Sequence, residues 1–196
     1  LLFFDEQQAQ EVTGYLPTQT PAHVQIETAP IRHYSLQEQI QLPARFTAAD
    51  LDLLHIPHFN VPLWTGWIDT TPLVVTIHDL LWHEQRGSAV TTLPAWQYWL
   101  KYVGYRLTTR TAVSCAQRLI VPSDTVGQTV AAEYPHSAAK LTTLYEGVNP
   151  EWFSDQAAPS QLYTELDPDK THLVYVGSLY PHKNVSLVLR ALAADS

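Results

Sequence analysis

The sequence predicts an α/β fold built on a parallel sheet, and three observations support this. Short apolar runs alternate with longer segments of helical periodicity, which is the order typical of parallel sheets. The clearest run, residues 72–77, is β-branched and continuous, as expected for a strand covered on both faces. The 14 prolines fall mostly at joints between these segments. We therefore expect strands joined by helices in one sheet.

The order of elements follows from local signals. Ser35 and Glu38 fit a capping box that starts a short helix through Ile40. Ser123 is a suitable N-cap for another helix. Besides residues 72–77, strands are predicted at residues 1–4, 51–56, 118–121 and 141–145, and helices at residues 35–40, 94–115 and 123–134.

The longest predicted helix, residues 94–115, carries a stripe of apolar side chains. The stripe recurs at the spacing of one helix face and consists of Trp96, Trp99, Leu100, Val103 and Leu107. Such a stripe predicts that Trp96 and Trp99 pack in the core. Trp64 and Trp67 instead lie in a Pro/Gly-rich segment, where they are predicted to stack on a sugar or a lipid.

Residues 1–150 are predicted to form a first Rossmann-like domain, and residues 151–170 a linker. Residues 172–176 then form a predicted buried strand, and residues 184–192 a helix. A second α/β domain is therefore expected over residues 171–196, represented by one βα unit. The chain contains no methionine and begins at Leu1. These features predict a processed chain or an internal fragment.

Composition excludes several classes of function. The net charge is −8, so the basic footprint of a nucleic-acid-binding protein is absent, although local donors can still hold an anion. Cys115 is the single cysteine, which rules out an intrachain disulfide and fits a reducing, cytoplasmic location. The apolar runs are too short to cross a bilayer.

Residues 175–184 form the first candidate site. A predicted strand is followed by Gly177, a short loop, and Lys183 at the start of a helix. Glycine allows close approach of the backbone, helix N-terminal amides favour an anion, and lysine adds a positive charge. This pattern suits a phosphate or diphosphate. An ordinary βα turn with a surface lysine is an equal alternative.

His78 and Asp79 form the second candidate site, at the end of the strand at residues 72–77. Ligands of parallel sheets bind outside the carboxyl ends of the strands, where an imidazole can hydrogen-bond a substrate hydroxyl. Asp79 would orient the imidazole or cap the following turn. A buried structural histidine is the alternative.

Two further motifs are assigned no chemistry. His55, His58, His78 and His83 include a pair with spacing compatible with metal ligands, but Pro57 prevents a helix from aligning that pair, so no metal site is predicted. Gly147 follows Glu146 and is predicted to supply a turn with positive φ. No catalytic role is assigned to that segment.

Taken in order, six stretches resemble the retaining glycosyltransferases of the GT-B fold known as family 4. They are Tyr34-Ser35-Leu36-Gln37-Glu38-Gln39, His55-Ile56-Pro57-His58-Phe59-Asn60-Val61-Pro62, Val74-Val75-Thr76-Ile77-His78-Asp79-Leu80, Leu119-Ile120-Val121-Pro122-Ser123, Gly147-Val148-Asn149, and Val174-Tyr175-Val176-Gly177-Ser178 followed by Pro181-His182-Lys183-Asn184.

The resemblance implies two Rossmann-like domains that face a cleft. It implies transfer of a sugar from a nucleotide-sugar donor to a saccharide or lipid-linked acceptor, with retention and without a metal or cofactor. Weak peripheral contact with a membrane is also expected. His78 would face the donor sugar and support departure of the diphosphate. The remaining implied site residues are Gly177, Ser178 and Lys183 for the diphosphate, and Asp79 and Asn184 as accessory groups.

The sequence also departs from the family pattern. His182 stands where arginine is common, and Glu146 stands where a smaller polar residue or histidine is commoner. The family's glycine-rich loop would precede Leu1, and its paired glutamates would follow Ser196. The 196-residue chain alone is therefore expected to have little transferase activity. A non-catalytic GT-B-like binding module and a GT-B sugar-nucleotide epimerase are the alternative functions.

Overall fold

A computed structural model describes residues 2–4, 24–32, 34–68, 71–84, 94–148, 167 and 169–194. The elements in these ranges are β1 (Leu2–Phe4), β2 (Ile26–Thr28), α1 (Leu36–Ala48), β3 (Leu54–Ile56), α2 (Thr65–Ile68), β4 (Leu73–Thr76), α3 (Leu81–Glu84), α4 (Ala95–Cys115), β5 (Arg118–Val121), α5 (Asp124–Glu133), a 3₁₀ helix (Pro135–Lys140), β6 (Leu141–Thr143), a 3₁₀ turn (Pro181–Lys183) and α6 (Val185–Ala194).

A four-stranded parallel sheet of order β3-β4-β5-β6 forms the centre of the fold. Consecutive strands are neighbours, and helices connect them, as in a Rossmann-like fold. The predicted α/β class and parallel sheet are confirmed. Strands β1 and β2 pair in parallel as a separate two-stranded sheet. The sequence does not predict β2, because Glu27 and Thr28 interrupt the apolar pattern there.

One hydrophobic core covers the sheet. Along β4 and just beyond it, Leu73, Val75 and Ile77 are buried, whereas Val74 and Thr76 are half-buried. The expected complete burial of both faces is therefore wrong for this strand, because its second face is only partly covered. The core also includes Phe46 from α1, Ala112 and Val113 from α4, Leu119 and Val121 from β5, and Val130 from α5.

Helix α1 extends beyond the predicted end at Ile40 and continues to Ala48. Pro43 lies inside this helix, although proline removes a backbone donor and normally ends a helix. Its side chain is fully buried, and the neighbouring Phe46 is 5% exposed. Burial of these two apolar side chains offsets the lost hydrogen bond, so the helix continues.

Helix α4 corrects the prediction for the aromatic stripe. Trp96 is 68% exposed and Trp99 is 55% exposed, so neither is a core residue. The opposite face is buried, where Ala112 and Val113 meet the sheet and Tyr98 stacks on Trp82 with ring centroids 5.6 Å apart. Because the side chains of Ala112 and Val113 are small, this face of the helix can approach the strands closely. The apolar stripe with the larger side chains therefore faces outward.

The predicted strand at residues 172–176 is absent from the described structure. These residues are all exposed, with Val176 at 90%, and the segment forms no ladder with the central sheet. A strand needs a neighbour for its backbone hydrogen bonds, whereas a helix makes its own. Helix α6 therefore forms without that strand. The predicted linker, apart from residues 167, 169 and 170, lies outside the described residues.

Two matched leucine substitutions test the orientation of α4. Leu100 is 69% exposed on the outer stripe, whereas Leu119 on β5 is fully buried. We expect Leu119→Ala to lower the free energy of unfolding by about 2–5 kcal/mol, because it leaves a core cavity. Leu100→Ala should change it by less than about 0.5 kcal/mol. Urea denaturation measures both, and equal losses would contradict the orientation described.

Candidate functional site

The loops after three parallel strands place His78, Pro57 and Glu146 together at the carboxyl edge of the sheet. The Nε2 atom of His78 lies 3.2 Å from the carbonyl oxygen of Pro57, which follows β3. Its Nδ1 atom lies 3.0 Å from Oε1 of Glu146, which lies three residues after β6. The His78 side chain is 47% exposed, so the alternative of a buried structural histidine is wrong. Ligands of parallel sheets bind at this edge.

Glu146 also lies at this edge, in contact with His78, and the sequence does not predict that contact. From the sequence, Glu146 is a departure from the family pattern and part of a segment with no assigned catalytic role. Its distance of three residues from the end of β6 was the available signal, because the ends of parallel strands share one edge. The neighbouring prediction for Gly147 is wrong: among the described glycines, positive φ occurs at Gly177. A Cβ at Gly147 would meet no atom within 4 Å, so nothing local requires glycine.

Asp79 caps the turn that follows His78. Its Oδ1 accepts a hydrogen bond of 3.0 Å from the backbone N–H of Leu81, at the start of α3. Of the two roles expected for Asp79, the structure therefore shows the cap. The described contacts include no hydrogen bond from Asp79 to His78.

A buried carboxylate holds the loop that carries Pro57. Glu38 is 3% exposed, and its Oε1 accepts a hydrogen bond of 2.9 Å from Nδ2 of Asn60. Its Oε2 accepts one of 2.6 Å from the N–H of Tyr34, while its own N–H donates to Oγ of Ser35. This arrangement confirms Ser35 as N-cap, but Glu38 reaches back to Tyr34 rather than to Ser35. The carboxylate thus joins the start of α1 to the loop after β3.

His83 lies behind the edge in a buried polar network. Its side chain is 4% exposed and lies between two phenols, with Nδ1 2.6 Å from the hydroxyl of Tyr105 and Nε2 2.9 Å from that of Tyr134. Arg106 pairs with Glu133 beside them. Burial, together with the neighbouring Tyr134 and Asp79, raises the pKa of Tyr105 well above its usual range. These bonds tie α3 to α4 and α5, and so stabilise the turn after His78.

The histidines considered as metal ligands have separate partners. His55 Nε2 lies 2.9 Å from the hydroxyl of Thr76, and His58 Nδ1 accepts from the N–H of Asn60. In the part of the chain that the structure describes, no group of three histidine, cysteine or acidic side chains is placed to hold a metal ion.

The second candidate site is a turn held by its own contacts. Gly177 has φ of +146°, a conformation that side chains rarely adopt, and a Cβ there would lie 3.0 Å from the Tyr175 hydroxyl. That hydroxyl donates a hydrogen bond of 2.6 Å to the carbonyl oxygen of Ser178. Lys183 is exposed at the end of the 3₁₀ turn, and Asn184 has φ of +49° directly before α6.

The two candidate sites are each organised locally. No hydrogen bond or ion pair among the described residues joins His78 or Asp79 to the turn at residues 177–184. The structure therefore brings Gly177, Ser178, Lys183 and Asn184 together in one turn, and His78 and Asp79 together at the sheet edge.

A parallel sheet joined by helices, with polar groups at its carboxyl edge, defines a Rossmann-like α/β protein. The family model described as Glycosyltransferase Family 4 matches residues 5–152, about three quarters of the chain. The chain therefore belongs to that family. The matched range includes His78, Asp79 and Glu146, and it ends before the turn at residues 177–184.

Family membership supports a glycosyltransferase-type function, with a sugar donor and an acceptor as partners. No match was found among the curated proteins. Of the helices that the structure describes, none combines the length and the apolar character needed to cross a membrane.

The buried phenol predicts an alkaline loss of stability. The folded state raises the pKa of Tyr105, so the unfolded chain releases this proton at lower pH than the folded one. The contribution of protonated Tyr105 to the stability of the folded state is complete below the usual tyrosine pKa, and it is lost as the pH rises above about 10. We expect the unfolding free energy of Tyr105→Phe to fall less steeply as the pH rises above this value. The difference in slope should correspond to the release of up to about one proton on unfolding.

Urea denaturation at a series of alkaline pH values measures this slope. The exposed Tyr145 provides the matched control, and Tyr145→Phe should keep the wild-type slope. An unchanged slope in Tyr105→Phe would show that burial does not raise the pKa of Tyr105.

Proposed function

We propose that this protein transfers a sugar from a nucleotide-sugar donor to an acceptor, with retention at the anomeric carbon and without a metal ion. The observation that carries the proposal is the half-exposed His78 at the carboxyl edge of a family 4 glycosyltransferase sheet. In this proposal, His78 contacts the donor sugar and lends electrostatic support to departure of the nucleotide diphosphate.

The turn at residues 177–184 is the proposed contact for the diphosphate. Gly177 has a backbone conformation that side chains rarely adopt, and Lys183 presents an exposed positive charge. Helix α6 begins at Val185, and the free amides of a helix N-terminus favour an anion. Ser178 and Asn184 stand in the same turn as further polar groups. Together these groups would neutralise the negative charge of the diphosphate, which a metal ion neutralises in other transferases.

Residues 171–196 are proposed to begin the donor-binding domain of a GT-B arrangement, after a linker at residues 151–170. The strand-like residues 172–176 and the apolar side chains of α6, including Leu189 at 62%, are exposed. Apolar sequence of this kind is typical of a βα unit that packs within a larger sheet. This exposure supports the assignment of a second domain.

His182 favours one alternative, a module that binds a sugar or nucleotide sugar without turnover. It replaces the arginine that is common in the family and so removes a permanent charge from the turn. An epimerase acting on the sugar nucleotide is the other alternative. Analysis of products formed without an acceptor distinguishes it, because an epimerase would convert the donor alone.

Substitution of Lys183 tests the proposed diphosphate contact. In the full-length protein, Lys183→Ala should raise the KM for the nucleotide sugar by about 10- to 100-fold, because it removes a charge-assisted hydrogen bond. Lys170→Ala, at an exposed position before the turn, is the matched control and should behave as wild type. Transfer is measured as nucleotide release over a panel of nucleotide sugars.

Each outcome has a definite meaning. Loss of activity in Lys183→Ala alone supports the transferase. Ligand binding without transfer or hydrolysis in the wild-type protein would overturn the transferase in favour of the binding module.

A weak peripheral contact with a membrane at a cytoplasmic location completes the proposal. Trp96, Trp99, Leu100, Val103 and Leu107 are exposed along one side of α4. The 21-residue helix contains no acidic residue and carries Lys101 and Arg110, while its Arg106 is paired with Glu133 of α5. Exposed tryptophan with flanking cations suits an anionic lipid surface, and such contact would bring a lipid-linked acceptor close. Trp64, which is 50% exposed, is a second aromatic group for a lipid or saccharide.

Vesicle sedimentation tests this contact. We expect the double variant Trp96→Ser, Trp99→Ser to bind several-fold less to vesicles of phosphatidylcholine mixed with phosphatidylglycerol, because it loses the aromatic anchors. Leu36→Ser, at an exposed position of α1, is the control. Equal sedimentation of the wild type and the double variant would refute the contact.

A further inference from the structure

Tyr34 has an unusual backbone conformation directly before α1. Among the described residues, the non-glycine residues with positive φ are Tyr34 at +58°, Asp50 at +47° and Asn184 at +49°. Aspartate and asparagine tolerate this left-handed region because their short polar side chains can bond the local backbone, whereas a bulky residue there is an outlier. A glycine would adopt the same conformation without steric cost. The tyrosine side chain is therefore present at a cost in backbone strain.

Packing within the chain does not account for this side chain. Tyr34 is 70% exposed, so its ring contributes little to a core. It precedes the N-cap Ser35, and an apolar residue at this position often packs against the fourth residue of the helix. That residue is Gln39, whose polar Oε1 accepts a hydrogen bond of 2.7 Å from the N–H of Leu63. The strained position therefore presents an aromatic ring to solvent.

The strained backbone is held by the carboxylate that also supports the loop after β3. The N–H of Tyr34 donates a hydrogen bond of 2.6 Å to Oε2 of Glu38, whose Oε1 accepts one of 2.9 Å from Asn60. Asn60 follows Pro57 by three residues, and the carbonyl oxygen of Pro57 lies 3.2 Å from Nε2 of His78. These contacts place the backbone of Tyr34 near the loop that touches His78 at the carboxyl edge of the sheet.

The chemistry around Tyr34 favours a neutral saccharide as its ligand. Strained backbone positions cluster at binding and catalytic sites, where the surrounding structure holds them. An aromatic ring offers a large rigid surface for the apolar face of a sugar ring. Glu38 adds a carboxylate beside Tyr34, and its negative charge disfavours the diphosphate part of a nucleotide sugar. The acceptor therefore suits this position better than the nucleotide diphosphate of the donor does.

We propose that the ring of Tyr34 stacks on a sugar ring of the acceptor and so contributes to acceptor binding beside His78. This rests on the proposed function, in which His78 contacts the donor sugar and the acceptor must reach the same sugar carbon. The buried Glu38, which is 3% exposed, fixes the backbone from which the ring projects. Less conformational freedom is then lost when the saccharide binds, which offsets the cost of the strained backbone.

Saturation-transfer NMR with the methyl glycosides of glucose, galactose, mannose and rhamnose tests the contact without any requirement for transfer. We expect Tyr34→Gly and Tyr34→Ala to raise the Kd of the glycosides that bind by about 3- to 10-fold, because both variants lack the ring. Tyr34→Phe keeps the ring and should bind as the wild type does. Ile40→Ala, which removes another exposed apolar side chain further along α1, is the matched control and should also bind as the wild type does.

Urea denaturation of the same variants tests the backbone strain separately. Glycine relieves the left-handed conformation and alanine does not, so Tyr34→Gly should unfold at a higher urea concentration than Tyr34→Ala. The loss of saccharide binding would then follow the ring, and the difference in stability would follow the Cβ atom. An unfolding midpoint of Tyr34→Ala at or above that of Tyr34→Gly would contradict the strain on which the proposal depends.

The binding outcomes separate this proposal from the function on which it rests. Equal affinity of the wild type and Tyr34→Gly, or no binding of any of the four glycosides to the wild type, would overturn the contact. In the full-length protein, a rise in the KM of the nucleotide sugar instead of that of the acceptor would assign the ring to the donor and refute the proposal. Glycoside binding that depends on Tyr34, without any transfer, would refute the proposed function and keep the contact with the sugar.

Discussion

The parallel hydrogen-bonded ladder of β3 to β6 is the constraint on which the candidate site depends. Each strand has only three or four residues, so the sheet requires the apolar core beneath Val75 and Leu119 as much as its own hydrogen bonds. Because all four strands run the same way, the loops that follow them emerge at one edge. Pro57, His78 and Glu146 are far apart in the chain, and the shared edge is what brings them within hydrogen-bonding distance.

Two buried polar groups then limit the freedom of these loops. Glu38 ties the loop after β3 to the start of α1, and His83 ties the turn after His78 to α4 and α5. Buried polar groups are costly unless they are hydrogen-bonded, so each arrangement tolerates little displacement of its partners. The loops on either side of the half-exposed His78 are therefore each held by a buried, hydrogen-bonded side chain. Such support holds a functional side chain in place more effectively than surface contacts alone.

The sequence predicted the strands of the central sheet and the position of His78, since apolar runs and strand ends are local signals. It did not predict which side of α4 faces the sheet. Trp96 and Leu100 form a good apolar stripe, but Ala112 and Val113 on the other side pack closer to the strands, and periodicity cannot compare two faces. Glu146 was missed for a related reason, because its contact with His78 spans 68 residues and depends on strand order.

The segment at residues 171–194 shows the same distinction between local and long-range structure. Helix α6 and the turn at Gly177 form from contacts a few residues apart, whereas residues 172–176 pair with no strand among the described residues and form none themselves. The two candidate sites consequently depend on different interactions. The geometry around His78 requires the sheet and its core, while the placement of Lys183 requires only the turn before α6. The contacts described for the second site are accordingly all within the turn itself, whereas those of the first join three separate loops.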